Sequence, residues 1–267
     1  MSGAQCLLVA FLFAVPATVP AGAGALADSL APTGTLRATF LGDNPVLGRV
    51  NAETGAVTGT VADLVQDLAR RMGVPFTLLP SSGAREIINR LQARTADIGF
   101  LAYNAGRAAD VDFSAPWLLM PNTYLVRADS PLLKVADADR AGIRITAVKN
   151  DTQDVYLSAN LKNNRVDTVP STPSADEIRG MLMDGKADAF AANRQRLLEI
   201  AGRFRELRVI ADDYFVAGQA IAIGKGDPAR LDALNRMLDE VLATALVKSS
   251  IDRAGLRGVA AAKPRGR

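Results

Sequence analysis

Residues 86–97 read Glu86-Ile87-Ile88-Asn89-Arg90-Leu91-Gln92-Ala93-Arg94-Thr95-Ala96-Asp97. Five of these residues return later in the same order. Glu177, Ile178, Leu182, Ala187 and Asp188 repeat Glu86, Ile87, Leu91, Ala96 and Asp97, each displaced by 91 positions. In both places Ile and Leu fall four residues apart, on one face of a helix, and the Ala-Asp pair leads into an apolar run. Each copy therefore reads as a helix that ends and launches a strand. A convergent helix–turn–strand junction is the plainer explanation. The fuller one is a chain of two lobes of similar construction, each a small α/β unit, with a ligand crevice where strand carboxyl ends and helix N-termini of both lobes meet.

On either side of these copies short apolar strands alternate with helical patterns, which argues for an α/β fold with largely parallel sheets. Strands are expected at 35–40, 76–79, 98–101, 143–148, 166–169, 189–192 and 220–223. Between the first two, Val61, Leu64, Val65, Leu68 and Met72 form one apolar stripe at helical spacing, and Gly73 follows as a stop. The stripe is expected to be core.

Composition narrows the function. The chain has no histidine, and its one cysteine, Cys6, lies in an apolar leader. The commonest general base, the nucleophile–histidine arrangements and the usual zinc sets are thereby removed, so neither catalysis nor a metal or other cofactor is expected. Residues 1–27 carry no charge, contain an apolar run over 7–15 and end Ala25-Leu26-Ala27, a small-x-small cleavage signature. The run is shorter than the roughly 20 residues a membrane span needs, so a secretory leader and a soluble periplasmic product are expected. The net charge of +3 is carried entirely by Lys263, Arg265 and Arg267. A body without a basic excess does not suggest a nucleic-acid partner, and 259–267 reads as a solvated, disordered basic tail.

From residue 34 to about 259 a series of motifs occurs in order: Gly34-Thr35-Leu36-Arg37, Gly59 with Asp63-Leu64, Ala96-Asp97-Ile98, Arg107 before Val111-Asp112-Phe113-Ser114-Ala115-Pro116-Trp117, Gly142-Ile143-Arg144-Ile145, Asn150-Asp151-Thr152-Gln153, Ala187-Asp188-Ala189-Phe190, and Ala220-Ile221-Ala222-Ile223 with Lys225-Gly226-Asp227. In this order they resemble the family 3 extracellular solute-binding proteins, which serve ABC transporters for polar amino acids. The resemblance implies two Rossmann-like α/β lobes joined by two crossover strands, a periplasmic binding protein type II-like fold. It divides the chain into lobe 1 at 28–124, lobe 2 at 125–216 and a return to lobe 1 at 217–258, with hinges near 123–126 and 216–221. The implied function is capture of a small carboxylate-bearing solute by hinge closure and its delivery, by a monomer, to an ABC transporter permease at the inner membrane.

The resemblance also places a site. Arg107 stands where the family keeps its carboxylate clamp, and a planar guanidinium suits that task because it donates two parallel hydrogen bonds. Thr152 is the second expected contact, its hydroxyl and the first amides of a helix beginning near Asp151 facing the same carboxylate; an ordinary N-cap is the alternative. Asn104 replaces the family's usual threonine, and Asn193 replaces the aspartate that pairs with an amino acid's ammonium. An ammonium without a counter-charge is costly in a closing cleft, so a standard α-amino acid is disfavoured unless Asp151 supplies the charge. Tyr103, Trp117 and Phe40 are candidates for an apolar wall, Trp117 more as a residue of the lobe surface. Two alternative functions remain: a periplasmic dehydratase of the same fold, which would need a Glu, Asp or Lys beside the clamp, and a ligand-binding sensor or adaptor.

Overall fold

The computed structural model describes residues 27–266; the secretory-leader assignment falls, but for Ala27, outside them. Its main sheet runs β4-β1-β5-β11-β6-β9-β7-β8. These strands are β1 Leu36–Leu41, β4 Phe76–Ser81, β5 Ile98–Ala102, β6 Val111–Arg127, β7 Ile145–Val148, β8 Val166–Val169, β9 Ala189–Asn193 and β11 Phe215–Gly224; β2 Arg49–Val50 and β3 Val57–Thr58 form a separate pair, and β10 Leu207–Val209 pairs with β6. On one side β1 lies parallel between β4 and β5, and β11 closes the set antiparallel to β5. On the other, β7 lies parallel between β8 and β9, and β6 is antiparallel to β9. The two halves thus repeat one plan, three parallel strands and an antiparallel neighbour, and β6 runs through both.

The cores divide the same way. One large apolar cluster draws on residues from Leu30 to Met120 and again from Ala217 to Ile251. Two others draw only on residues between Tyr124 and Ile210. The fold is therefore two Rossmann-like α/β lobes joined by crossover strands.

Helix α1, Thr60–Met72, has the bounds its apolar stripe predicts: Val61, Leu64, Val65, Leu68 and Met72 are all at most 2% exposed. It stops at Gly73, whose φ of 70° is left-handed, a conformation glycine adopts without a Cβ penalty. Helix α2, Ala84–Gln92, lies on β5 through Ile87 and Leu91, and a Cβ on Gly99 would come within 2.6 Å of Ile87. Only glycine allows that approach.

The repeated Ala-Asp pairs have a shared structural task. Asp97 accepts from the Arg37 backbone amide at 2.9 Å, from Arg37 Nε at 3.0 Å and from Nη2 at 2.7 Å. Asp188 accepts from the same three groups of Arg144 at 2.9, 3.0 and 2.8 Å. In each lobe the last strand is clasped to the first by one bidentate pair.

Three sequence expectations are corrected. Residues 111–127, not among the expected strands, form the longest strand, Pro116 and Pro121 included. Pro116 is accommodated where the register between β6 and β11 shifts, between Gln219 and Ala220. Trp117 is wholly buried, edge-on to Phe100, rather than at the lobe surface. The basic tail is partly folded: Ala260–Ala261, β12, pairs with Leu119 and Leu118 of β6, and Arg265 makes three hydrogen bonds to the Asp239 carboxylate. β6 had a further edge to offer there, and unpaired strand edges attract partners.

Candidate ligand cleft between the lobes

A cavity of about 620 Å³ lies between the lobes, in the size range of small-molecule pockets. Of the six site residues expected from sequence, Arg107, Thr152, Asn104, Asn193 and Asp151 line it. Tyr103 does not; it is 57% exposed and packs edge-on against Phe113. Phe40 and Trp117 are core residues, so in place of the expected aromatic wall the lining mixes polar and aliphatic side chains, with Phe190 as its aromatic ring.

Arg107 is positioned from the end of β5. Asn104 caps the short helix α3, Ala105–Ala108, by accepting from the Arg107 backbone amide at 2.8 Å, which fixes the turn carrying the arginine. The Arg107 Nη1 donates to Ala102 O at 3.0 Å. Its Nη2 turns to the other lobe and donates to Asn150 O at 3.3 Å and Asp151 Oδ1 at 3.2 Å. Arg107 is buried, which disfavours its charge and lowers its pKa against the pull of Asp151. Burial likewise raises the Asp151 carboxyl, with Arg107 opposing.

Asp151 precedes helix α4, Thr152–Asn160, yet its side chain makes no capping bond; it faces Arg107 instead. The turn before the helix is held by Asn150, at a left-handed φ of 63°, whose amide donates to Asp154. Thr152 is buried at the first helical position. Asn193 caps helix α6, Arg194–Arg203, accepting from the Arg196 amide at 2.9 Å. Its oxygen therefore has a structural duty at the place where an ammonium partner would stand.

Three lining residues were missed from sequence. Arg196, in lobe 2, donates from Nη2 to Pro173 O at 2.8 Å and from Nη1 to Asp43 Oδ2, in lobe 1, at 3.2 Å. A signal for it existed: Asn-x-x-Arg follows a strand twice, at 104–107 and 193–196. Asp43, its partner, is the second. The third is Gln219 of β11, buried at the cavity wall, whose Oε1 has no hydrogen-bond partner among the described residues. A buried amide oxygen without a donor is costly, and a ligand's N–H or O–H would satisfy it. Among the described residues no group of three or more Cys, Asp or Glu side chains is placed to hold a metal, and no helix is long and apolar enough to cross a membrane.

Such a two-lobed molecule, with a crevice into which an arginine of each lobe is turned, is of the solute-binding class. The chain belongs to the bacterial extracellular solute-binding proteins, family 3, whose model matches residues 36–252. It is similar in structure to a putative binding component of an ABC transporter from Wolinella succinogenes, complexed with lysine, at 21% identity and a TM-score of 0.70, covering 82% of this chain and 95% of that one. It is similar to an ancestral amino acid-binding protein, a precursor of cyclohexadienyl dehydratase, at 23% identity and TM-score 0.67, over 86% and 98% of the chains. A histidine kinase sensor domain matches at 21% and 0.71, over 85% and 98%. The comparison with curated proteins gives no match.

Proposed function

We propose that the protein is the periplasmic substrate-binding component of an ABC transporter and captures a small carboxylate-bearing solute between its lobes. The observation that carries this reading is the Arg107 guanidinium, buried, fixed by its own lobe and turned toward the helix start of the other. A carboxylate entering there would take the place Asp151 now holds on Arg107, with the Thr152 hydroxyl and the first amides of α4 on its other side. Contacts made to both lobes at once give the differential affinity that favours closure.

In this reading the chain leaves lobe 1 near Tyr124 and returns near Ala217, the leader ends at Ala27, and the monomer hands its solute to a permease at the inner membrane. The protein has no turnover of its own. Its family and most of its structural neighbours are binding proteins, and the acids that line the cavity, Asp43, Glu86, Asp110 and Asp151, are each tied to an arginine. A dehydratase would have to use Asp151, the acid beside the clamp whose carboxyl burial raises. A sensor role is the second reading, favoured by the likeness to a histidine kinase sensor domain.

Thermal-shift screening of the mature protein against amino acids, keto acids and other small carboxylates tests the proposal. A ligand at 100 times its Kd adds about 2.7 kcal/mol. No stabilisation by any carboxylate would refute it, and loss of a cyclic carboxylate on incubation would move the protein to the enzymes.

A further inference from the structure

The cleft holds a second guanidinium built like the first. Asn104 at the end of β5 and Asn193 at the end of β9 each accept from the backbone amide of an arginine three residues on. Each arginine then donates one Nη to a carbonyl of its own lobe, Arg107 to Ala102 O and Arg196 to Pro173 O. Each gives its other Nη to an aspartate of the opposite lobe, at 3.2 Å in both cases, Asp151 for Arg107 and Asp43 for Arg196. The side chains of Arg107 and Arg196 are largely buried, at 7% and 18% exposure, whereas those of their aspartates reach solvent, at 33% and 41%. The cationic halves are thus fixed and the anionic halves are the ones free to leave.

From this arrangement we infer that Arg196 is a second anion anchor and that the solute carries two acidic groups, one for each guanidinium. The inference rests on the carboxylate-capture reading and extends it. Asp43 and Asp151 hold the places of the two ligand carboxylates and turn to solvent when the ligand enters. A ligand with one acid group would leave Arg196 on Asp43, making only half of the available charge-assisted contacts. Asp43 and Arg196 also border a neighbouring cavity of about 460 Å³, so release of that pair opens room beyond the main cleft for the far end of a longer diacid.

Calorimetric titration of the mature protein with succinate, glutarate and adipate, each beside the monocarboxylate of equal chain length and an uncharged-side-chain amino acid, tests this. At least one diacid is expected to bind about 30-fold or more tighter than its monoacid. Arg196→Gln should abolish that difference; Asp43→Asn, which removes the competing carboxylate, should tighten the diacid. Arg107→Gln should weaken both kinds of ligand. A monoacid or neutral amino acid binding as tightly as any diacid, or an Arg196→Gln effect equal for diacid and monoacid, overturns the second anchor and leaves carboxylate capture standing. If Arg196→Gln does not fold, the Asp43→Asn titration decides alone: unchanged or weaker diacid binding overturns the inference. Failure of every acid to bind removes both readings together.

Discussion

The two arginines of the cleft were not equally visible in the sequence. Arg107 was found because a motif follows it. Arg196 lies 153 positions from Asp43 and gains its meaning only when folding sets the two lobes face to face, although the doubled Asn-x-x-Arg spacing hinted at it. Removing one partner of a buried charged pair costs roughly 2 to 5 kcal/mol of binding. Arg107→Ala should therefore weaken carboxylate binding at least about 30-fold, while the fold survives, since the side chain lines the cleft and lies in neither apolar core. Asn193 was read as a missing counter-charge; its oxygen caps α6. Asn193→Asp can keep that cap, aspartate being as good an N-cap, so its effect should fall on binding: weaker purely anionic ligands through like-charge repulsion, stronger α-amino acids. Titration of both ligand types against the variant checks this, and equal effects on the two would contradict it.

At the scale of elements, the sequence was most legible where one rule acted alone. The stripe of α1 and the apolar run of β5 needed only periodicity. β6 was not among the expected strands: prolines are rare inside a sheet, and the register shift against β11 that accommodates Pro116 is a property of the pair of strands. β12 depends on the edge of that same strand, where Ala260 pairs with Leu119, 141 positions earlier, and no local pattern announces it. The Arg–Asp clasps make a stability prediction. Asp97 is 3% exposed with Arg37 at 24%, while Asp188 and Arg144 are at 31% and 49%. Asp97→Asn should cost more than Asp188→Asn, on the order of 2 kcal/mol against less than about 1, because exposed pairs contribute little. Urea denaturation of both variants measures it, and the reverse order would count against the clasp.

Glu86, in the first turn of α2, gives the same scale a pH dependence. The Ser82 amide, Arg90 and the Ser82 hydroxyl all favour its ionised form, holding its pKa down at about 2 against an ordinary value of 4.5. A carboxyl depressed by folding contributes stability above its unfolded pKa and loses it as pH falls through the folded one. Between about pH 4.5 and 2 the wild type should lose stability that Glu86→Gln does not have to lose, so the two stability curves converge in acid. The effect is small, below about 1 kcal/mol, since the side chain is 38% exposed. Curves that stay parallel to pH 2 would exclude the role given to Glu86.

At the scale of the molecule, the repeat that began at Glu86 proved to describe two lobes of one plan, and that much was legible because each lobe must bury its own core. How the lobes stand to each other was not, since it depends on contacts across the cleft: Arg107 with Asp151, Arg196 with Asp43, and Arg49 with Glu199. In the structure these pairs bridge the lobes. Two of the three have a partner more than 40% exposed and hold weakly, so they do not by themselves keep the molecule closed; a bound solute, taking the places of Asp151 and Asp43 on the two arginines, must do so. The measurement that tests this most directly is small-angle scattering of the mature protein with and without a stabilising carboxylate. The ligand-saturated profile should match the closed arrangement of the lobes seen in the structure, and the ligand-free protein should have a larger radius of gyration. A ligand-free profile that already matches the bridged form, and does not change at saturation, would contradict capture by closure.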